Sequence, residues 1–184
     1  GATPTSPSVT VRRIDPRFDT VTQKRQMGNV VPGGSGSVAT RGNAVWVAPS
    51  AGLLSLLSPR SAQVLQRIDP NGGQTAVAVG PDAVWITDAS EQASTVTRVD
   101  PTGALTPIAV GLRPSGIAIG EGAVWVADSL GDSVVRIDPG TRAVTTTIPV
   151  GSSPLGIAVG GGSVWVANSR AGTVSRIDAA NPND

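Results

Sequence analysis

The chain has 184 residues, enough for one sizeable core, and its 14 basic against 13 acidic residues leave a net charge of +1, far from the basic surface that neutralises nucleic-acid phosphates. It lacks cysteine, which removes disulfides and thiolate metal sites, and histidine, which removes the commonest general base, the usual partner of a nucleophilic serine and the commonest metal ligand. No apolar run approaches the roughly 18 residues of a membrane span, and GATPTSPS at the start lacks the charged and apolar regions of a signal peptide, so the chain reads as soluble, with neither a nucleic-acid nor a membrane-spanning role.

Residues 1–8 are rich in Pro, Ser and Thr without an apolar pattern and are expected to be a flexible linker. Two alternating segments follow, VTVRRID and TVTQKRQM. From there the chain repeats itself. Its four tryptophans fall at Trp46, Trp85, Trp125 and Trp165, at intervals of 39, 40 and 40 residues, inside AVWVA, AVWIT, AVWVA and SVWVA. Each is preceded by a Gly-rich approach and a short strand, as in PSGIAIGEGAVW and PLGIAVGGGSVW. After three of them come a turn and a second alternating strand: STVTRVDP, DSVVRIDP and GTVSRIDA. In the first unit LQRIDP copies that string, but its distance from Trp85 places it as the fourth strand, which makes GLLSLLSP, residues 52–59, the third. A further strand, AVTTTIPVG in the clearest copy, closes the unit. The repeats span 9–178, and 179–184, AANPND, read as a tail.

Each unit thus predicts a four-stranded antiparallel meander with Gly, Pro, Asp, Asn and Ser at every joint and no helical period. A unit of about 40 to 45 residues is the period of a propeller blade, so the fold class is all-β, a β-propeller with about four blades. The run AVWVA explains itself on that fold. It is apolar on both sides because an inner strand of a blade lies between two neighbouring blades, with Trp as the wedge.

GIAVGGGSVWVANSRAGTVSRID and RAVTTTIPVGSSPLGIAVG resemble the repeat of YVTN/YncE-type β-propellers and of the related propellers named after virginiamycin B lyase. The resemblance covers about residues 9–180 and implies the fold. It also implies a bacterial, extracytoplasmic setting, as a secreted or periplasmic protein or as the sensor or interaction part of a larger regulator. The lyase activity in that group relies on a histidine and a bound magnesium ion, and this chain has no histidine.

Three closures of the ring fit the strand count. TVTQKRQM could supply the outermost strand that the last unit lacks, closing a four-bladed ring, although VTVRRID is then left over. The chain could instead be part of a larger propeller, or two copies could complete a ring of about eight blades as a homodimer. The spare strand favours these last two.

In a propeller the loop before each innermost strand and the loop after each second strand open on one face. Those loops carry Gln74, Arg113, Ser115, Ser152 and Ser153, together with Asp88, Glu91, Asp128, Asp132, Asn168 and Arg170. Arg113 and Arg170 are the cations there, suited to a carboxylate or phosphate. Asp88, Asp128 and Asn168 each follow Trp by three positions, where turn chemistry competes with a ligand role. The Arg-x-Asp pairs Arg98/Asp100, Arg136/Asp138 and Arg176/Asp178 read as structural. The Gly runs lack the helix that a phosphate-cradling loop opens. The candidate ligand-binding residues are therefore Arg113, Ser115, Asp128, Asp132, Ser152, Ser153, Asn168 and Arg170, with no catalytic residue, metal or cofactor assigned. The expected function is a binding or sensing module meeting a protein, cell-wall or small-molecule ligand. A metal-dependent lyase or hydrolase using the loop carboxylates is the alternative.

Overall fold

The computed structural model describes residues 8–15, 17, 20–29, 36–50, 52–90 and 94–182, with side-chain detail chiefly from 36 onward. Residues 1–7 of the expected linker, the end of the expected tail at 183–184, and Glu91 lie outside the described residues. Two strands, β1 (Ser8–Asp15) and β2 (Thr20–Asn29), form an antiparallel hairpin. Blade 1 comprises β3 (Gly36–Arg41), β4 (Ala44–Pro49), β5 (Leu54–Leu57) and β6 (Val64–Ile68). Blade 2 comprises β7 (Gln74–Val79), β8 (Val84–Asp88), β9 (Thr95–Val99) and β10 (Leu105–Ala109). Blade 3 comprises β11 (Pro114–Gly120), β12 (Ala123–Asp128), β13 (Ser133–Ile137) and β14 (Val144–Pro149). Blade 4 has three strands, β15 (Pro154–Gly160), β16 (Ser163–Asn168) and β17 (Thr173–Asp178). Every sheet is a sequential antiparallel meander, as the repeat predicts, and β5 and β6 confirm the reading of the disguised first unit.

Local chemistry sets these strands. Residues 121 and 122 between β11 and β12, and 161 and 162 between β15 and β16, all have positive φ, the two-residue turn whose twist matches the flanking strands. Gly at the second position, and at both in blade 4, takes up that conformation without a Cβ penalty. The Arg-x-Asp aspartates cap the next turn: Asp100 accepts the Thr102 and Ala104 N–H groups, Asp138 those of Gly140 and Thr141, and Asp178 those of Ala180 and Asn181. Their arginines stay on the blade. Arg136 and Arg176 lie over the rings of Trp125 and Trp165, 5.5 and 5.8 Å from the centroids.

Three hydrophobic clusters join the blades in series. Trp46, Ala48 and Leu54 of blade 1 pack on Val77, Val84, Ile86 and Val99 of blade 2. Trp85, Val96 and Ile108 of blade 2 pack on Ile117, Val124, Val126 and Ile137 of blade 3. Trp125, Val134 and Ile148 of blade 3 pack on Val164, Val166 and Ile177 of blade 4. Trp therefore faces the following blade and its flanking valines the preceding one. Ala179, the first residue of the expected tail, is buried in the last of these clusters, and its N–H donates to Gly162 O. Hydroxyls on the innermost strands add a bond from blade to blade. Ser37 Oγ accepts the Val77 N–H at 3.1 Å, Thr75 Oγ1 lies 3.1 Å from Pro114 O, and Ser115 Oγ lies 2.9 Å from Pro154 O. Blade 4 carries Leu155 at that position.

The series is open at blade 4. All six residues of β12 are buried, whereas in β16, of nearly the same sequence, Trp165 and Ala167 are exposed. Trp125 is 0% exposed and Trp165 47%. The closure in which TVTQKRQM pairs with the last unit is not what the described residues adopt: β2 pairs with β1 from Asp15↔Thr20 to Ser8↔Asn29, with register shifts between Arg13 and Ile14 and between Ser8 and Thr10. Loop entropy favours that partner. Joining strands across four residues costs about 3 kcal/mol less than joining them across roughly 150.

Candidate functional site

The loops before the innermost strands and after the second strands meet on one face, as the meander dictates. Ser129 N–H donates to Arg113 O and Ser169 N–H to Ser153 O, each at 2.9 Å, and Ala89 N–H donates to Gly73 O at 3.2 Å. On this face blades 2, 3 and 4 line an open cavity of about 480 Å³ formed by Thr75, Ala89, Arg113 to Ser115, Ser129, Leu130, Ser153 and Leu155. Of the eight expected ligand residues, Arg113, Ser115 and Ser153 line it.

The acids around it are turned to the backbone. Asp128, buried, accepts the Leu112 N–H at 2.9 Å and the Arg113 N–H at 2.7 Å. Asp88 does the same in blade 2, accepting the Gly73 and Ser90 N–H groups at 3.0 and 2.9 Å. The glycines of the approach loops make room for this. A Cβ at Gly72 or Gly111 would collide with the Asp88 or Asp128 carboxylate. Asp132 reaches into the next blade, where it accepts the Ser153 N–H at 2.8 Å and the Ser152 hydroxyl at 3.2 Å. Blade 4 departs from the pattern. Asn168 Nδ2 donates to Thr173 Oγ1 and Ser175 Oγ, and its buried Oδ1 has no partner.

The structure gives several candidates packing roles that the sequence did not single out. The Ser115 hydroxyl is shared between Ala127 O and Pro154 O, and the buried Gln74 donates Nε2 to Gly52 O at 2.6 Å. Arg170 is exposed but does not line the cavity. Arg113 differs from all of these. Its backbone is held by Asp128 and by the Ser129 hydroxyl, which donates to Arg113 O at 3.0 Å, while its exposed guanidinium has no partner among the described residues. A cation on a fixed base, free at the mouth of a cavity, is equipped to form a fork with a carboxylate or phosphate.

Sequence reasoning missed the apolar half of this mouth, Leu130 and Leu155, both exposed. Leu53 and Leu112 are exposed in loops of the same kind. The available signal was a large apolar residue in a run otherwise made of Gly, Ser, Asp and Pro, as in DSLGDS at the turn after β12 and GSSPLG at the start of β15.

Solved structures resemble this arrangement. Virginiamycin B lyase from Staphylococcus aureus superposes over 91% of this chain and 62% of its own, with a TM-score of 0.67 and 14% identity. Hydrazine synthase of Kuenenia stuttgartiensis matches over 79% of this chain and 46% of its own, with a TM-score of 0.72 and 20% identity. The computationally designed Ika4 protein matches over 76% of this chain and 88% of its own, with a TM-score of 0.65 and 16% identity. The fold is a β-propeller. At these identities the likeness is one of fold alone, and the chain spans 46% and 62% of the two natural proteins' lengths. No family model matches the chain, and no curated protein matches its sequence. The magnesium ion implied by the lyase-type propellers does not fit the described residues, because no group of three His, Cys, Asp or Glu side chains gathers among them and Asp88, Asp128 and Asp132 are taken up by N–H and hydroxyl donors.

Proposed function

We propose that this propeller is a non-catalytic binding module that takes an anionic ligand with an apolar body at the mouth formed by blades 2, 3 and 4. The observation that carries this reading is Arg113: a guanidinium without a partner among the described residues, on an anchored backbone, at the rim of a cavity that also presents Leu130 and Leu155. A lyase or hydrolase would need loop carboxylates free to hold an ion or move a proton, whereas Asp128 and Asp132 fix the loops that present Arg113 and Ser153, and Asp88 fixes the Gly73 and Ser90 loops of blade 2. An extracytoplasmic setting within a larger bacterial protein belongs to the same proposal. It rests on the resemblance of the repeat, and cell fractionation with an antibody to the chain tests it, a purely cytosolic signal overturning that part.

The binding test is a nitrogen–proton NMR titration with N-acetyl-leucyl-leucine as the free acid. Shifts at Leu112, Arg113, Ser129, Leu130, Ser153 and Leu155 are the expected result. No saturable shifts, or shifts confined to the opposite ends of the blades, would overturn the proposal.

A further inference from the structure

The ends of the blades away from the loop face hold a second cavity, of about 450 Å³, between blades 1, 2 and 3. It is lined from the end of β3 and from the β7–β8, β11–β12 and β13–β14 turns, and it shares no residue with the cavity beside Arg113. Pro81, Ile119 and Pro139 supply apolar walls. Two hydrogen-bond donors of this lining are unused. Trp85 is 1% exposed, and its indole N–H makes no hydrogen bond among the described residues, whereas Trp125 Nε1–H donates to Gly120 O. Gly80 keeps the Trp85 N–H approachable: a Cβ there would stand 3.6 Å from Trp85 Nε1 and 3.5 Å from Ile119 Cδ1. Arg41, exposed at the rim, likewise has no partner among the described residues. The acids nearby are occupied. Asp82 is paired with Arg98 at 3.4 Å, Glu121 accepts the Gly162 N–H at 3.1 Å, and Asp138 caps the Gly140 and Thr141 N–H groups.

We propose that this cavity binds a small carboxylate carried on a compact ring. One carboxylate oxygen accepts the Trp85 indole N–H, Arg41 balances the charge from the rim, and the ring lies against Pro81, Ile119 and Pro139. Each part of that guest answers a feature of the lining. A nearly buried donor without an acceptor favours a ligand that brings one, because a polar group left unpaired on burial is costly. A cation whose neighbouring acids are already engaged selects a negative charge. The volume and the mixture of apolar walls with a few polar groups are those of a small-molecule site. This is a second site, and it stands or falls separately from the one at Arg113.

The probe is benzoate, titrated into the chain and followed by nitrogen–proton NMR, in which each of the four tryptophans gives one indole N–H signal. The Trp85 signal should move downfield saturably, together with the amides of Gly80, Asp82, Gly120 and Gly140, while the Trp125 signal, already bonded to Gly120 O, stays in place. Benzyl alcohol, which keeps the ring and loses the charge, should bind about fivefold more weakly or worse, and Arg41→Gln should weaken benzoate by a similar factor. Arg41 is exposed, so the blades stay folded in that variant, and an unchanged thermal melt checks that. Gly80→Ala, which sets a methyl group between Trp85 Nε1 and Ile119, should also weaken binding. No saturable shift of the Trp85 indole, benzyl alcohol binding as well as benzoate, or undiminished binding to Arg41→Gln would overturn the proposal. Shifts confined to Arg113, Leu130 and Leu155 would overturn it as well and leave the loop-face reading standing.

Discussion

Trp125 and Trp165 occupy the same position in consecutive repeats, so replacing each by alanine isolates the effect of the next blade. Trp125 is 0% exposed, donates Nε1–H to Gly120 O at 3.1 Å and carries Arg136 over its ring. Removing a wedge of this kind costs about 4 kcal/mol, made up of lost transfer energy and the cavity left behind. Trp165 is 47% exposed, so about half of that burial exists to be lost, and the expected cost is about 2 kcal/mol. With a urea slope of about 2 kcal/mol/M for a domain of this size, the midpoint should fall by about 2 M in Trp125→Ala and about 1 M in Trp165→Ala. Far-UV circular dichroism reads both melts without relying on the tryptophan signal that the substitutions alter. Equal losses in the two variants would refute the reasoning, since they would mean that the last blade's open face is covered in solution.

Ser115→Ala should cost about 1 to 2 kcal/mol in the same melts, because the Ala127 and Pro154 carbonyls lose a shared donor at a blade boundary. Gly111→Ala should be worse than Gly122→Ala. Both glycines have positive φ, but only at Gly111 would a Cβ collide with the Asp128 carboxylate, so a penalty above about 2 kcal/mol is expected there against about 1 at Gly122. The Thr141 N–H holds the Asp138 carboxyl below its ordinary range, and the Gly140 N–H adds to this. A carboxyl lowered on folding stabilises above its unfolded pKa, and that contribution is lost as pH falls through the folded value. The gap in Tm between the native chain and Asp138→Asn should therefore be full at neutral pH and shrink between about pH 5 and pH 2. A gap constant across that range would contradict the assignment.

The repeat was legible because packing dictates it. Trp at a 40-residue spacing, flanked by small apolar residues on both strand faces, has few solutions other than radially stacked meanders. Alternation placed the outer strands, and spacing to Trp85 corrected the LQRIDP string. Closure was less legible. VTVRRID and TVTQKRQM have strand patterns that suit either a local hairpin or the rim of a ring, and entropy decides between them, which no single strand's pattern records. The site divides in the same way. Asp128 and Asp132 were identifiable as loop acids, but whether a carboxylate faces a ligand or its own backbone depends on the approach of Leu112, Arg113 and Ser153 N–H groups from distant segments. Leu130 in a polar turn and Leu155 at the start of β15 are each unremarkable until the fold sets both beside the same arginine.

The most direct measurement of the central claim, that Arg113 makes the loop face a site for anionic ligands, compares N-acetyl-leucyl-leucine with its C-terminal amide by isothermal titration on the native chain, Arg113→Gln and Arg170→Gln. The expected result is that the native chain and Arg170→Gln prefer the acid by about tenfold or more and that Arg113→Gln loses the preference. An acid preference that survives in Arg113→Gln would contradict the claim.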